Sequence, residues 1–254
     1  MLTKLRIKET LNNIGLKSND TIMIHSSLKS IGKIEGNAEG LIEALKEYFH
    51  DGLIIFPTHT WATINKDDMV FDVNNTPSCV GMLTEIARKT EGFTRSMHPT
   101  HSVCAYGKKS KEYIELDNNA TTPVGPNNCF GALKNMNAKI IFLGAPLTKN
   151  TFIHSIEEEY DVPDRFTEHI YHFISIDNDK IIDYYMPRHF STKNAHLSEH
   201  YQKLLPKFLE LNIGTQFYFG EAKSYLIDAK KAYEYVCSLL ENNLHIFDDY
   251  SEIK

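Results

Sequence analysis

The chain has 254 residues, 42% hydrophobic and 24% charged, with 33 acidic against 27 basic side chains and a formal net charge of −6. This balance is ordinary for a soluble globular protein and makes disorder not the default, and the acidic excess argues weakly against nucleic acid and mildly for a cationic partner. The N-terminus lacks the continuous apolar run of a signal peptide and no stretch reaches membrane-spanning length, so the expectation is a cytoplasmic protein with no membrane partner. Cys79, Cys104, Cys129 and Cys237 are far apart and form no Cys-x-x-Cys pair, as expected of reduced thiols.

Leu5, Leu11 and Ile14 recur near helical spacing before Gly15, which predicts a first helix over Thr3 to Ile14. Thr21 to Ile24 is a compact apolar run that reads as a core strand delivering His25-Ser26-Ser27-Leu28 to its carboxyl end. A glycine-punctuated loop from Ile31-Gly32 to Gly36 leads into a helix over about Asn37 to Phe49, and Leu53 to Phe56 forms a second strand stopped by Pro57. Strand, loop, helix, strand is a parallel βαβ unit. Pro57 to Asn75 is long and polar, and holds the single tryptophan, Trp61, with Asp67, Asp68 and Asp72, the profile of a lid or binding loop. Thr76-Pro77-Ser78 reads as the start of a helix whose apolar side is Met82, Leu83, Ile86 and Ala87.

Proline disfavours a helical predecessor, so His98-Pro99-Thr100-His101-Ser102 is an extended turn feeding a strand over Val103 to Gly107. A helix near Ser110 to Leu116 and a turn-rich stretch from Thr121 to Phe130 follow. Lys139 to Gly144 is a buried strand, after which Asn150 or Thr151 caps a helix. His154 lies in its first turn and Glu157, three residues on, shares its face. This puts an imidazole beside a carboxylate at the carboxyl end of a strand, where open α/β folds place ligands and where the acid orients the ring and raises its basicity. Beyond Arg165, His169 to Ile174 and Lys180 to Met186 form a β-hairpin about Asp177-Asn178-Asp179. A helix over about Ala195 to Leu211, a strand over Gln216 to Phe219 and a helix over Ala229 to Glu241 complete the chain.

The expected fold is α/β, a three-layer αβα arrangement with a largely parallel central sheet plus a C-terminal β-hairpin and helical subdomain. It forms a single domain over residues 1–254, with residues 166–254 sharing the core of residues 1–165. Twelve histidines raise the question of a metal, but there is no His-Glu-x-x-His, His-x-His or cysteine pair, and no metal is expected. The rival readings are a metal-dependent hydrolase built on His25, His98 and His101, acyl transfer through Cys104 or Cys129, and a binding module without chemistry.

His25-Ser26-Ser27-Leu28 with Ile31-Gly32 and Gly36, Pro57 to Trp61, Thr76-Pro77-Ser78, His98 to Ser102, and Asn150 to Glu157 together resemble the aminoglycoside 3-N-acetyltransferase family, in order, from about residue 3 to 240. The signature Q/R-x-x-G-x-G/A of the common acetyl-coenzyme A-dependent superfamily is missing. The resemblance implies transfer of acetyl from acetyl-coenzyme A (acetyl-CoA) to an amine of an aminoglycoside or related amino sugar. It implies a coenzyme site at Ser26, Ser27, Leu28, Ile31, Gly32, His98, His101 and Ser102, and a catalytic base at His154 supported by Glu157. Trp61 and Asp72 would meet the amine acceptor, with Asp67 and Asp68 as further acidic attraction, and a homodimer is compatible with the family. Backbone amides of the Ser26-Ser27 turn are the candidate oxyanion donors. Asn128-Cys129 stands where relatives often carry Ser-Pro, and Arg188-His189 resembles members acting on surface-polysaccharide sugars, which makes an amino-sugar nucleotide the alternative acceptor.

Overall fold

The computed structural model describes residues 1–64, 69–193 and 197–253. Asp67, Asp68 and Ala195, the expected start of a helix, lie outside the described residues. In chain order the first elements are α1 (Lys4–Asn13), β1 (Thr21–Ser26), α2 (Leu28–Ile31), α3 (Asn37–Tyr48) and β2 (Leu53–Pro57). There follow β3 (Val70–Asp72), α4 (Met82–Ala87), β4 (Thr94–Arg95), β5 (Val103–Gly107), α5 (Ser110–Ile114), α6 (Cys129–Ala132), β6 (Lys139–Leu143) and α7 (Thr151–Glu159). The last third comprises β7 (Tyr171–Asp177), β8 (Lys180–Met186), a 3-10 segment (Leu197–Lys203), α8 (Leu204–Glu210), β9 (Gly214–Phe219), β10 (Ala222–Asp228) and α9 (Ala229–Asn242).

The main sheet runs β4-β5-β2-β1-β6-β10-β9. At its centre β1 pairs in parallel with β2 and β6, as the βαβ reading requires, while β4, β5, β9 and β10 extend it with antiparallel pairings. Successive side chains of a strand point to opposite faces. Ile22 and Ile24 accordingly join Leu41, Leu45, Ile54 and Phe56 in one core, and Met23 joins Ile55, Ile140, Phe142, Phe152 and Ile153 in the other. Helices cover both faces, which is why the central strands read as continuous apolar runs. The same parity puts His25 on the Met23 face, the face of α7, where its ring stacks on Phe142 at 4.9 Å and 6°.

β3, β7 and β8 form a second, three-stranded sheet. The hairpin of β7 and β8 turns through Asp177-Asn178-Asp179 as expected, and delivers Arg188-His189 at its end. β10 was not expected from the sequence, although Gly220-Glu221 is a two-residue turn between two alternating runs. Gly220 has φ +61° and a Cβ there would lie 2.5 Å from the Ile31 carbonyl, so only glycine closes this hairpin without displacing the backbone.

Three expected details differ. In α1 it is Ile7 and Leu11 that are buried, and Leu5 is exposed. The helix expected from Thr76-Pro77 begins only at Met82, because residues before it are held as a loop: the Ser78 amide donates to Glu85 at 2.8 Å and Cys79 N–H to the His59 carbonyl at 2.8 Å. The long helix expected up to Leu211 is divided between the 3-10 segment and α8, with Pro206 in the first turn of α8, where a missing N–H is tolerated.

Ile141 sits on β6 with no exposed surface, between β1 and β10. Ile141→Ala is expected to cost about 2–5 kcal/mol of stability, read as a lower urea midpoint with an unchanged denaturant slope.

Candidate active site

A cavity of about 800 Å³ opens beyond the carboxyl ends of β1 and β6. Its walls come from Ser26-Ser27 at the end of β1, His59 and Trp61 after β2, Thr100-His101, Gly144 to Pro146 with Thr148 and Lys149 after β6, His154 of α7 and Arg188 to Ser191 after β8. This is the crevice position typical of ligands in open α/β sheets.

His154 is held by a chain of buried groups. Its Nδ1 lies 2.6 Å from the Tyr201 hydroxyl and 3.3 Å from Glu157 Oε2. The Tyr201 hydroxyl donates to that same Oε2, and Arg165 Nε donates to Oε1 at 2.7 Å. A phenol has one proton. Since it points at the carboxylate, the phenol oxygen accepts from Nδ1–H, and the lone pair of neutral His154 is on Nε2. Burial and the Glu157 charge hold the Tyr201 hydroxyl well above the ordinary range, so the phenol stays protonated. For Glu157, burial pushes upward, but the His154 hydrogen bond and charge, with Arg165 and Tyr201, bring the carboxyl below its usual value. The acid is thus ionised although 1% exposed.

A second histidine faces the first. His189 lies with its ring 4.6 Å from that of His154 at 33°, and its Nε2 is 2.7 Å from Glu158 Oε1. Glu158 Oε1 also accepts the Val124 N–H at 3.0 Å. Burial first, then the neighbouring His189, lowers the His154 pKa, against the opposing pull of Glu157. Burial likewise holds His59 and His101 well below 6.5 and His25 at about 3. His154 is therefore an unprotonated imidazole at neutral pH, the state a base requires.

Of the residues expected at the site, Ser26, Ser27, Trp61, His101 and His154 line the cavity and Glu157 lies directly behind it. Leu28, Ile31, Gly32, His98, Ser102 and Asp72 do not line it. Ile31 is in the core below α3, partly buried Leu28 packs on the same cluster, and Gly32 lies against the Glu221 side chain. His98 is buried, its Nδ1 accepting the Thr100 and His101 amides at 3.3 and 3.0 Å and its Nε2 facing the Thr122 carbonyl at 3.2 Å, so it shapes the turn that presents His101. Ser102 is buried and its hydroxyl donates to the Thr58 carbonyl at 2.8 Å. The Asp72 carboxylate accepts the amides of Asn74 and Asn75 and caps its own turn beside β7. The Ser27 amide donates to the Leu143 carbonyl at 2.9 Å, which removes it as an oxyanion donor.

Tyr201, Arg165, His189 and Glu158 were not among the expected site residues. Glu158 had a local signal, since it follows Glu157 directly, but the others reach the site only through tertiary folding. Cys104 and Cys129 are fully buried, with thiols pushed up by burial, Cys104 to about 12, and neither lines the cavity. Among the described residues no three His, Cys, Asp or Glu side chains converge as a metal-holding group. No helix of the described residues is long and apolar enough to cross a membrane.

The sequence profile of the aminoglycoside 3-N-acetyltransferase family matches residues 23–241, and the chain belongs to that family. The prophage-derived aminoglycoside N(3')-acetyltransferase-like protein YokD of Bacillus subtilis strain 168 is 29% identical over 182 residues, 63% of this chain and 66% of its own. Aminoglycoside N(3)-acetyltransferase III of Salmonella sp is 31% identical over 184 residues, 65% of this chain and 63% of its own. These two alignments span just under two thirds of the relatives' length, whereas aminoglycoside N(3)-acetyltransferase VII of Streptomyces paromomycinus aligns over 96% of this chain and 93% of its own at 23% identity. The structure of AAC-IIIb in binary complex with CoASH superposes with a TM-score of 0.82 over 94% of this chain and 96% of its own, at 22% identity. Crystalline Bacillus subtilis YokD gives 0.79 over 95% and 94% at 24% identity.

Because burial depresses His25, His59, His98, His101 and His154, the unfolded chain takes up protons below about pH 6.5 that the native chain refuses. Stability is free of this penalty above that pH and declines as the pH falls toward the folded-state values, by up to about 1.4 kcal/mol per pH unit for each histidine. Urea unfolding measured from pH 7.5 to 5 is expected to show net proton uptake of more than one on unfolding.

Proposed function

We propose that the chain is an acetyl-CoA-dependent N-acetyltransferase acting on an amino group of an aminoglycoside or related amino sugar, with His154 as general base. The observation that carries this reading is the chain from Glu157 through the Tyr201 hydroxyl to His154 Nδ1, which leaves Nε2 as the basic nitrogen of a cavity-lining ring. Family membership supports the reaction class. So do AAC-IIIb, described with CoASH, and a histidine-to-alanine variant of AAC(3)-IVa, described with a gentamicin.

The cavity suits a phosphate-bearing donor. Lys149 and Arg188 line it, and among the described residues neither has a carboxylate partner; the Arg188 guanidinium donates instead to the Trp61 carbonyl at 2.7 Å. Bound acetyl-CoA supplies an acyl group activated as a thioester. An alkyl ammonium has a pKa near ~10.4 and cannot attack while protonated. His154 Nε2 takes the proton that the amine nitrogen loses as its bond to the thioester carbonyl carbon forms, and the C–S bond then breaks to release the coenzyme thiolate, which that proton neutralises. The resulting imidazolium is stabilised through Nδ1–H on Tyr201, whose own proton rests on Glu157, while Arg165 holds the far carboxylate oxygen in place. The His189 ring against His154 covers one face of the base and limits water there.

A second acceptor class is favoured by one observation. Among the described residues the cavity lining includes no aspartate or glutamate, so it offers a polycation no carboxylate and is better matched to an amino-sugar nucleotide.

Free-thiol release from acetyl-CoA, followed with gentamicin and with a nucleoside-diphosphate amino sugar, tests both. His154→Ala is expected to lower kcat about a hundred- to ten-thousandfold in whichever assay the wild type supports. Undiminished turnover in His154→Ala removes the assignment of the base, and turnover with gentamicin alone removes the second acceptor class.

A further inference from the structure

Beyond α9 the chain does not trail into solvent. Residues 243–249 return across the molecule in successive turns, with Ile246 N–H donating to the Asn243 carbonyl and Asp248 N–H to that of His245. Phe247 is the anchor. It has no exposed surface, and its ring meets that of Tyr201 edge-on at 5.2 Å. The Phe247 carbonyl lies 2.6 Å from His200 Nδ1, and the Ile246 carbonyl accepts from Lys203 Nζ, so the segment holds the 3-10 segment on either side of Tyr201. Asp248 then reaches Arg165: its Oδ1 accepts from Nη2 at 2.8 Å, while Oδ2 meets Lys193 Nζ at 2.7 Å and His245 Nδ1 at 2.9 Å. Arg165 is the residue whose Nε holds Glu157. This segment lies beyond residues 23–241, the part matched by the family profile.

We infer that Asp248 is a positioning residue of the active site, the outer end of a charge chain running Asp248, Arg165, Glu157, Tyr201, His154, with Phe247 as the wedge that seats Tyr201. The inference adds to the base assignment above, yet its first readout needs no substrate. Arg165 carries one positive charge between two carboxylates. Removing the outer carboxylate leaves that charge less compensated beside Glu157, which weakens the carboxylate's support of an imidazolium and lowers the His154 pKa. Removing Lys193 from the opposite side of Asp248 works in the other direction. Among the described residues, the groups facing His154 from the neighbouring elements are Glu157 and Tyr201, His189 with Glu158 behind it, His59 and His101; neither substitution alters any of these side chains.

The test is a titration of the His154 ring by NMR in the full chain, for wild type, Asp248→Asn and Lys193→Met. The expected result is a lower midpoint in Asp248→Asn, a higher one in Lys193→Met, and, where turnover is measurable, a roughly tenfold loss of kcat in Asp248→Asn with KM values within twofold. A brace with no electrostatic role would lower thermal stability and leave both midpoints at the wild-type value, and that result overturns the inference. Should Asp248→Asn fail to fold, exposed Lys193→Met decides alone: an unmoved or lowered midpoint overturns it. Absent turnover with normal midpoint shifts would instead count against the acetyltransferase reading and leave the charge chain standing.

Discussion

Glu157 is a carboxylate with 1% of its surface exposed, and the site is built around compensating that charge. An unpaired ion at such depth costs several kcal/mol, and pairing alone repays this only when the remaining lone pairs are also satisfied. Here one oxygen takes Arg165 and the other takes the Tyr201 hydroxyl, with His154 Nδ1 alongside. The compensation has a chemical by-product. Because the phenol proton is committed to the carboxylate, the imidazole is driven into one tautomer, and its basic nitrogen is the one left for the cavity. Compensation of the buried charge and the tautomer of His154 therefore rest on the same three contacts.

The fold brings these parts together by simple geometry. The parallel centre of the sheet sets the carboxyl ends of β1 and β6 side by side, so the Ser26-Ser27 turn and the approach to α7 border one crevice. The antiparallel additions serve a different purpose. β9 and β10 close the sheet and lead into α9, from which the terminal segment returns to Arg165, while the second sheet extends the β7–β8 hairpin until His189 rests on His154. A cluster of histidines in this setting stays neutral because burial penalises each charge, and each additional neighbouring imidazole deepens the penalty.

What could be read from the sequence was what is local. The dyad of His154 and Glu157 is separated by three residues on one helix, and the central strands announce themselves as β-branched apolar runs. Motif order across the chain carried the family. Arg165, Tyr201 and Asp248 were not legible because their contacts span 8, 44 and 83 residues, distances over which no periodicity operates. Leu28, Ile31, Gly32, His98, Ser102 and Asp72 belong to motifs that border the cavity without lining it: Ile31 is in the core, and His98, Ser102 and Asp72 place polar atoms on their own loops. A motif marks a neighbourhood; which atoms in it face a ligand is decided by packing.

The central claim is the tautomer of His154, and ring ¹⁵N chemical shifts with long-range ¹H–¹⁵N correlations measure it directly. At pH values above its titration the account predicts a protonated Nδ1 and an unprotonated Nε2. A predominant Nε2–H form in the wild type would mean that the nitrogen offered to the cavity is a donor rather than a base, and would contradict the account at its root.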